Sequence, residues 1–131
     1  MCRRLNERTA FGKPLAQQGV MIERVATSRI QIDQVRLIVL HVAWRRMDEV
    51  GKKESRREIA EIKAAAANMD CEVVDREIQA FGGEGVTRDY ALDYMYKYAR
   101  TLRVVDGPDE VHRNQLGHQE LAKYPPARAH V

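Results

Sequence analysis

Apolar residues recur at helical spacing through most of the chain. Ile22, Val25, Ile32, Val35, Val39, Ala43, Met47 and Val50 stand three, four or seven apart, which lays an apolar stripe along one side of a helix. Pro14 suits a first helical turn, and no other proline interrupts Ala16 to Val50. The pattern predicts one rod of about 35 residues, on the order of 50 Å long, broken at Gly51. Helical spacing resumes from Glu54 to Phe81 through Ile59, Ile62, Ala66, Met69 and Val73. Within it, Ala64 to Ala67 form a strong helix-forming patch that lets a neighbour approach closely. The short connection makes these two helices antiparallel neighbours. Tyr90 to Leu102 reads as a shorter helix, Pro108 opens another through Leu121, and Tyr124-Pro125-Pro126 ends the ordered part. No segment reads as a strand or a hairpin. The expected architecture is all-α, an antiparallel helical bundle over residues 1–123 with a flexible tail over 124–131.

Composition narrows the class. A chain of 131 residues fits one domain with a useful core, and 44% hydrophobic against 31% charged residues indicates a soluble globular protein. The most apolar stretch, Val35 to Trp44, contains Arg36 and is followed by Arg45, so no run reaches the roughly 18 residues of a membrane span. The net charge of +3 does not amount to a nucleic-acid-binding face. Lys52, Lys53, Arg56 and Arg57 alternate with Asp48, Glu49, Glu54, Glu58 and Glu61, the signature of a solvated helix surface with pairs such as Arg57 and Glu61. Tyr90, Tyr94, Tyr96 and Tyr98, interleaved with Lys97 and Arg100, could stack bases but read more simply as faces of a packing helix. Cys2 and Cys71 form no framework, which fits a reducing compartment. His41, His112, His118 and His130 lack metal-ligand spacing, so no metal site is expected. The Arg-rich opening, Met1 to Arg8, lacks the serines of a transit peptide.

Three motifs remain. Gln79-Ala80-Phe81-Gly82-Gly83-Glu84-Gly85 closes a helix-forming run. It is no Walker loop, since Val86-Thr87 follow the last glycine, and no dinucleotide fingerprint, since a helix precedes it. By itself it reads as a helix C-terminus with a left-handed glycine. Asp106-Gly107-Pro108-Asp109-Glu110 reads by itself as a turn and helix start, with acids near the positive end of the macrodipole. The third is Arg8-Thr9-Ala10-Phe11-Gly12-Lys13, in which Arg8 could be a solvated charge and Phe11 a hydrophobic staple.

In this order and spacing the three motifs resemble the C-terminal domain of the flavin-dependent acyl-CoA dehydrogenases. The resemblance runs from about Arg4 to about Lys123, and the Asp-Gly-Pro-Asp-Glu-Val-His form is similar to the branch that carries Asp where most relatives carry Glu. It implies a helical bundle, FAD as cofactor and an acyl-CoA thioester as substrate. It implies that Asp106 is the base that removes the α-proton while the β-hydrogen leaves as hydride. It further implies that Arg8 meets the FAD pyrophosphate across a subunit boundary, that Phe11 lies beside the flavin, that Gln79 bonds the nucleotide portion, and that Gly83 admits it for want of a side chain. Pro108 and Glu110 fall where many relatives place Thr and Gln near the cofactor, and Gly19 where many carry Gln; Glu110 would set a negative charge near an anionic ligand. His112 and Arg113 would line the same site. Met1 to Arg8 looks like the last turns of a helix that begins upstream in relatives. A homo-oligomer or a larger flavoprotein partner is expected, in the cytoplasm or, for a eukaryotic source, the mitochondrion. The other reading is a non-catalytic helical assembly subunit or partner of a larger flavoprotein.

Overall fold

The computed structural model describes residues 1–47 and 56–124. The chain opens with α1 (Cys2–Glu7), passes through a tight hairpin of β1 (Thr9–Ala10) and β2 (Lys13–Pro14) and a 3-10 turn at Leu15–Gln17, and enters α2 (Gly19–Met47). Then come α3 (Arg56–Phe81), a 3-10 segment at Gly82–Val86, α4 (Leu92–Leu102) and α5 (Asp109–Leu121). Helices dominate, as the hydrophobic spacing predicts, and the long rod starts at Gly19 because Pro14 caps the 3-10 turn instead of the helix itself. The expected break at Gly51 and the tail beyond Tyr124 lie outside the described residues.

The hairpin corrects the expectation that no strand forms. Thr9 pairs with Pro14 and Ala10 with Lys13 in antiparallel register, across a two-residue turn in which Phe11 (φ +55°) and Gly12 (φ +79°) are both left-handed. Two left-handed residues give the turn whose twist matches paired strands. Its sequence signal is normally Asn-Gly or Asp-Gly, and a phenylalanine in the first place conceals it.

α3 is the axis of the fold. Arg45 of α2 lies 3.2 Å from Glu58, and Arg76 of α3 donates to Gln31 of α2 at 2.6 Å, so α2 runs antiparallel to α3. On another side, Lys63 donates to the Leu102 carbonyl at the end of α4, Asn68 bonds Asp109 at the start of α5, and Arg57 lies 3.5 Å from Glu120 near its end. The two short helices are therefore laid in series along α3, both antiparallel to it. Small side chains line the seams: Ala60, Ala67, Cys71 and Val74 of α3, Val35 and Val42 of α2, and Leu92 and Ala99 of α4 are all buried, while Ala80 packs with Leu5 and Leu15.

The seam of α2 differs from the expected stripe. Val25, Ile32 and Val35 face inward, but Ile22, Val39, Ala43 and Met47 are exposed, and Ser28, Val35 and Val42, seven apart, are the buried positions. A seven-residue step is what a helix shows along one neighbouring helix. Ile30, Leu37, Leu40 and Trp44 form a second apolar line that faces outward.

Candidate active site and cofactor contacts

The break between α4 and α5 carries Asp106. The helix unwinds as the Val104 and Val105 amides bond the Thr101 carbonyl, after which Asp106 (φ +53°) and Gly107 (φ +100°) are left-handed. Asp tolerates that region better than most residues, and Gly107 is required there, since a β-carbon would also lie 3.1 Å from His112 Nε2. Pro108 is extended and caps α5 from outside, so the helix begins at Asp109, one residue later than the sequence suggests. The side chain of Asp106 is exposed and borders a cavity of about 330 Å³ that is lined also by Ile59, Ile62, Lys63 and His112.

The loop is tied at both neck and apex. At the neck the Asp109 amide donates to the Arg103 carbonyl at 3.2 Å, and the Arg103 guanidinium donates to Asp109 Oδ2 at 2.7 Å. Asn68 of α3 donates to the same oxygen at 2.9 Å. Asp109 is 1% exposed, and its Oδ1 finds no donor among the described residues. Burial by itself raises the Asp109 carboxyl, but the bonds from Arg103 and Asn68, with the Arg103 charge, outweigh it and hold the carboxyl below the usual carboxylate range. At the apex, His112 Nε2 lies 3.2 Å from the Asp106 carbonyl, and the bond requires the proton on Nε2. Cys71 beside this cluster is buried, which pushes its thiol up and leaves it a packing residue.

A second group of sequence-predicted residues gathers at the other end of α3. Arg8 Nη1 donates to the Phe81 carbonyl at 2.6 Å, satisfying an orphan carbonyl at the helix terminus. Gly82 (φ +68°) then turns the chain left-handed, as the glycine motif predicts. Arg4 ion-pairs with Glu84 and lies 5.2 Å over the Phe81 ring, which meets Tyr90 edge-on at 4.7 Å. Around this knot Gln79 and Gly83 are exposed, a β-carbon on Gly83 would touch nothing within 4 Å, and Phe11 at the hairpin tip is 93% exposed.

Arg8, Phe11, Gln79 and Gly83 are thus brought to one end of the fold, while Asp106, Pro108 and Glu110 lie near the junction of α4 and α5. Ile62, beside Asp106, and Phe81, beside Arg8, are nineteen residues apart on α3, which is about 28 Å at 1.5 Å per residue. The residues that sequence reading missed are Arg103, Asp109 and Asn68. Arg103 and Asp109 bracket the Asp-Gly-Pro turn in the sequence, which is the one local hint.

Comparison with known proteins identifies the family and the fold. The profile of the acyl-CoA dehydrogenase C-terminal domain matches residues 1–121. "Probable acyl-CoA dehydrogenase FadE2" of Mycobacterium tuberculosis is 45% identical over 123 residues, covering 94% of this chain and 30% of that protein. Human "Acyl-CoA dehydrogenase family member 11" is 44% identical over 121 residues, covering 92% of this chain and 15% of that protein. A solved structure from Mycobacterium abscessus, assigned as an acyl-CoA dehydrogenase, superposes with a TM-score of 0.90 at 50% identity, covering 95% of this chain and 30% of that one. The butyryl-CoA dehydrogenase of Megasphaera elsdenii, at 23% identity and a TM-score of 0.84 over 92% of this chain and 30% of that one, shares the fold. The chain belongs to the acyl-CoA dehydrogenase family, as its C-terminal domain, and spans less than a third of the relatives just named. Family membership makes it part of an oxidoreductase lineage of FAD-dependent dehydrogenases. Among the described residues, no helix is long and apolar enough to cross a membrane.

Proposed function

We propose that this chain supplies the catalytic carboxylate, and part of two flavin sites, to an FAD-dependent dehydrogenase of acyl-CoA thioesters. The observation that carries the reading is the placement of Asp106: an exposed carboxylate on a left-handed turn, beside a cavity and pinned at its neck by the half-buried Arg103–Asp109 ion pair. Such a group keeps a fixed position without being neutralised by a partner of its own, which is what abstraction of a weakly acidic α-proton asks of a base. Asp is one methylene shorter than Glu, so the substrate's α-carbon must come closer to the backbone of this loop.

The residues at the far end of α3 fit an anionic dinucleotide. Arg8 commits one nitrogen to the Phe81 carbonyl, which fixes the guanidinium and leaves its other donors for a pyrophosphate. Exposed Gln79 can hydrogen-bond the nucleotide, the open space at Gly83 leaves room for it, and Phe11 offers an aromatic face. Bound FAD supplies the acceptor for the hydride that leaves the β-carbon. A span of about 28 Å along α3 exceeds the distance from a flavin ring to its own pyrophosphate. Arg8 of one copy would then hold the flavin that serves Asp106 of another, which would make the working unit a homo-oligomer. Pro108 and Glu110 flank the base, Glu110 setting the charge on that side.

The test is anaerobic mixing of the full-length holoenzyme carrying this domain with acyl-CoA thioesters. The parent bleaches its flavin absorbance. Asp106→Asn, nearly isosteric but unable to accept the proton, should keep flavin and thioester binding and lose reduction. Reduction at the parental rate by the Asn variant would remove Asp106 as the base.

A further inference from the structure

Asp106 sits at the tip of a ring of seven residues, and nothing in Asp106 itself explains why the ring keeps its shape. The residue holds φ +53°, a region that persists for a non-glycine only where the surroundings impose it. Val104 and Val105 are exposed, as are Asp106 and Pro108, so the loop has no apolar anchor of its own. Its ends are joined by the amide of Asp109 on the carbonyl of Arg103 and, in parallel, by the side chain of Arg103 on that of Asp109 at 2.7 Å. The Asn68 amide, which also donates to the Ala64 carbonyl at 2.7 Å, fastens this neck to α3. With Oδ1 of Asp109 buried and lacking a donor among the described residues, the carboxylate depends on Arg103 and Asn68 for compensation.

Resting on the reading of Asp106 as the base, we infer that Arg103, Asp109 and Asn68 form a clamp whose function is to hold the Asp106 turn in its reactive geometry. These are positioning residues. Arg103 cannot reach the reacting atoms while its guanidinium is turned inward onto Asp109, and Asp109 is buried. The clamp closes the ring across its neck, so that the only freedom left to Asp106 is rotation of its side chain. His112, bonded to the Asp106 carbonyl at 3.2 Å, steadies the apex from α5. The arrangement suits the shorter acid. With one fewer methylene to adjust its reach, Asp106 depends more on its backbone being fixed than a glutamate would, and misplacement on the order of 1 Å can cost about a hundred-fold in rate.

The experiment uses the full-length flavin-loaded enzyme with Arg103→Gln and, because that change could harm folding, Asp109→Asn, which keeps an oxygen for the Asn68 amide. Arg57→Gln, which removes the surface pairs with Glu61 on α3 and Glu120 on α5, serves as control. Hydrogen exchange is followed over residues 103–109 and separately over α4 and α5, together with thioester affinity and the rate of anaerobic flavin reduction. The clamp predicts exchange in the loop at least about ten-fold faster with α4 and α5 unchanged, and reduction at least about ten-fold slower with affinity preserved. Arg103→Lys, which retains the charge, should recover part of the rate, and Arg57→Gln should alter neither. Unchanged loop exchange in both clamp variants, or faster exchange spread evenly through α5, overturns the clamp. Faster exchange confined to the loop with parental reduction keeps the clamp and overturns Asp106 as the group it serves.

Discussion

Arg8 and Gly82 are fitted to one another. The guanidinium Nη1 of Arg8 lies 3.2 Å from the point a β-carbon on Gly82 would occupy, while the same nitrogen bonds the carbonyl of Phe81 at 2.6 Å. The first and second motifs of the chain are thus one structural unit: the arginine caps α3, and the glycine both turns the chain and leaves room for the cap.

The three glycines of the Gly82-Gly83-Glu84-Gly85 stretch should respond differently to alanine. At Gly82, left-handed backbone costs an alanine about 1–2 kcal/mol and the new methyl crowds Arg8. At Gly85 a β-carbon would fall 2.6 Å from the Ile78 carbonyl, a backbone overlap that costs about 1–3 kcal/mol. Gly83→Ala meets nothing within 4 Å and should be close to neutral. Urea unfolding of the three variants orders them: Gly82 and Gly85 lose stability, Gly83 does not, and a Gly83 variant as unstable as the others would contradict the open space seen there.

The Arg103–Asp109 pair carries a pH signature. The Asp109 carboxyl is held below its ordinary range, so its stabilisation is fully present above about pH 4, where the unfolded chain's aspartates are ionised, and is lost as pH falls through the lower folded value. Asp70, which burial raises, contributes with the opposite sign but cancels between parent and variant. Arg103→Gln should lower stability at neutral pH, because it leaves the buried Asp109 carboxylate without its charged partner. The deficit should shrink as pH falls below about 4. Urea midpoints measured across that range check it, and a deficit independent of pH would mean that the pair is not the source.

Much of this fold is legible in the sequence where glycine and proline punctuate it. α3 ends at Phe81 because Gly82 can turn left-handed, and α5 starts beside Pro108, so those boundaries follow from local chemistry. The hairpin is not legible, since Phe11 occupies a left-handed position without the asparagine or aspartate that would announce it. The seam of α2 is only half legible. The helix carries two apolar lines, and which one meets α3 is decided by the partner helix, not by spacing. At the candidate site, Asp106 stands out through family resemblance and its Gly-Pro neighbours. Asn68 could not be found that way, because its contact with Asp109 crosses forty-one positions and exists only once α5 has docked on α3.

The outward line of α2 should drive association. Leu37 and Trp44 are 67% and 62% exposed and continue a stripe with Ile30 and Leu40, more apolar surface than a lone helix face ordinarily leaves in water. Leu37→Glu with Trp44→Glu should shift sedimentation of this chain toward the monomer. It should change unfolding stability by less than about 0.5 kcal/mol, as for exposed sites. An unchanged sedimentation profile would remove this face from the interface.

The separation of Arg8 from Asp106 allows a mixing experiment that tests whether one flavin draws on two chains. In the full-length enzyme, Arg8→Ala should weaken flavin retention, since loss of a charge-assisted contact costs about 1.5–3 kcal/mol, or roughly ten-fold or more in affinity. Asp106→Asn should retain flavin but not reduce it. Suppose the two variants are unfolded together, refolded as mixed assemblies and assayed at a free flavin concentration that fills the sites with Arg8 but not those without it. If each site takes its base from one copy and its arginine from another, random assembly restores about a quarter of the sites to a fully native pair, as expected for residues facing each other across a subunit contact. If both residues served one site within one chain, every site would contain one lesion and mixing would restore nothing. Activity rising from near zero toward a quarter of the parental value, and only in the mixture, is the expected result. A mixture no better than its two components would place both residues in a single chain's site, against the distance that α3 sets between them.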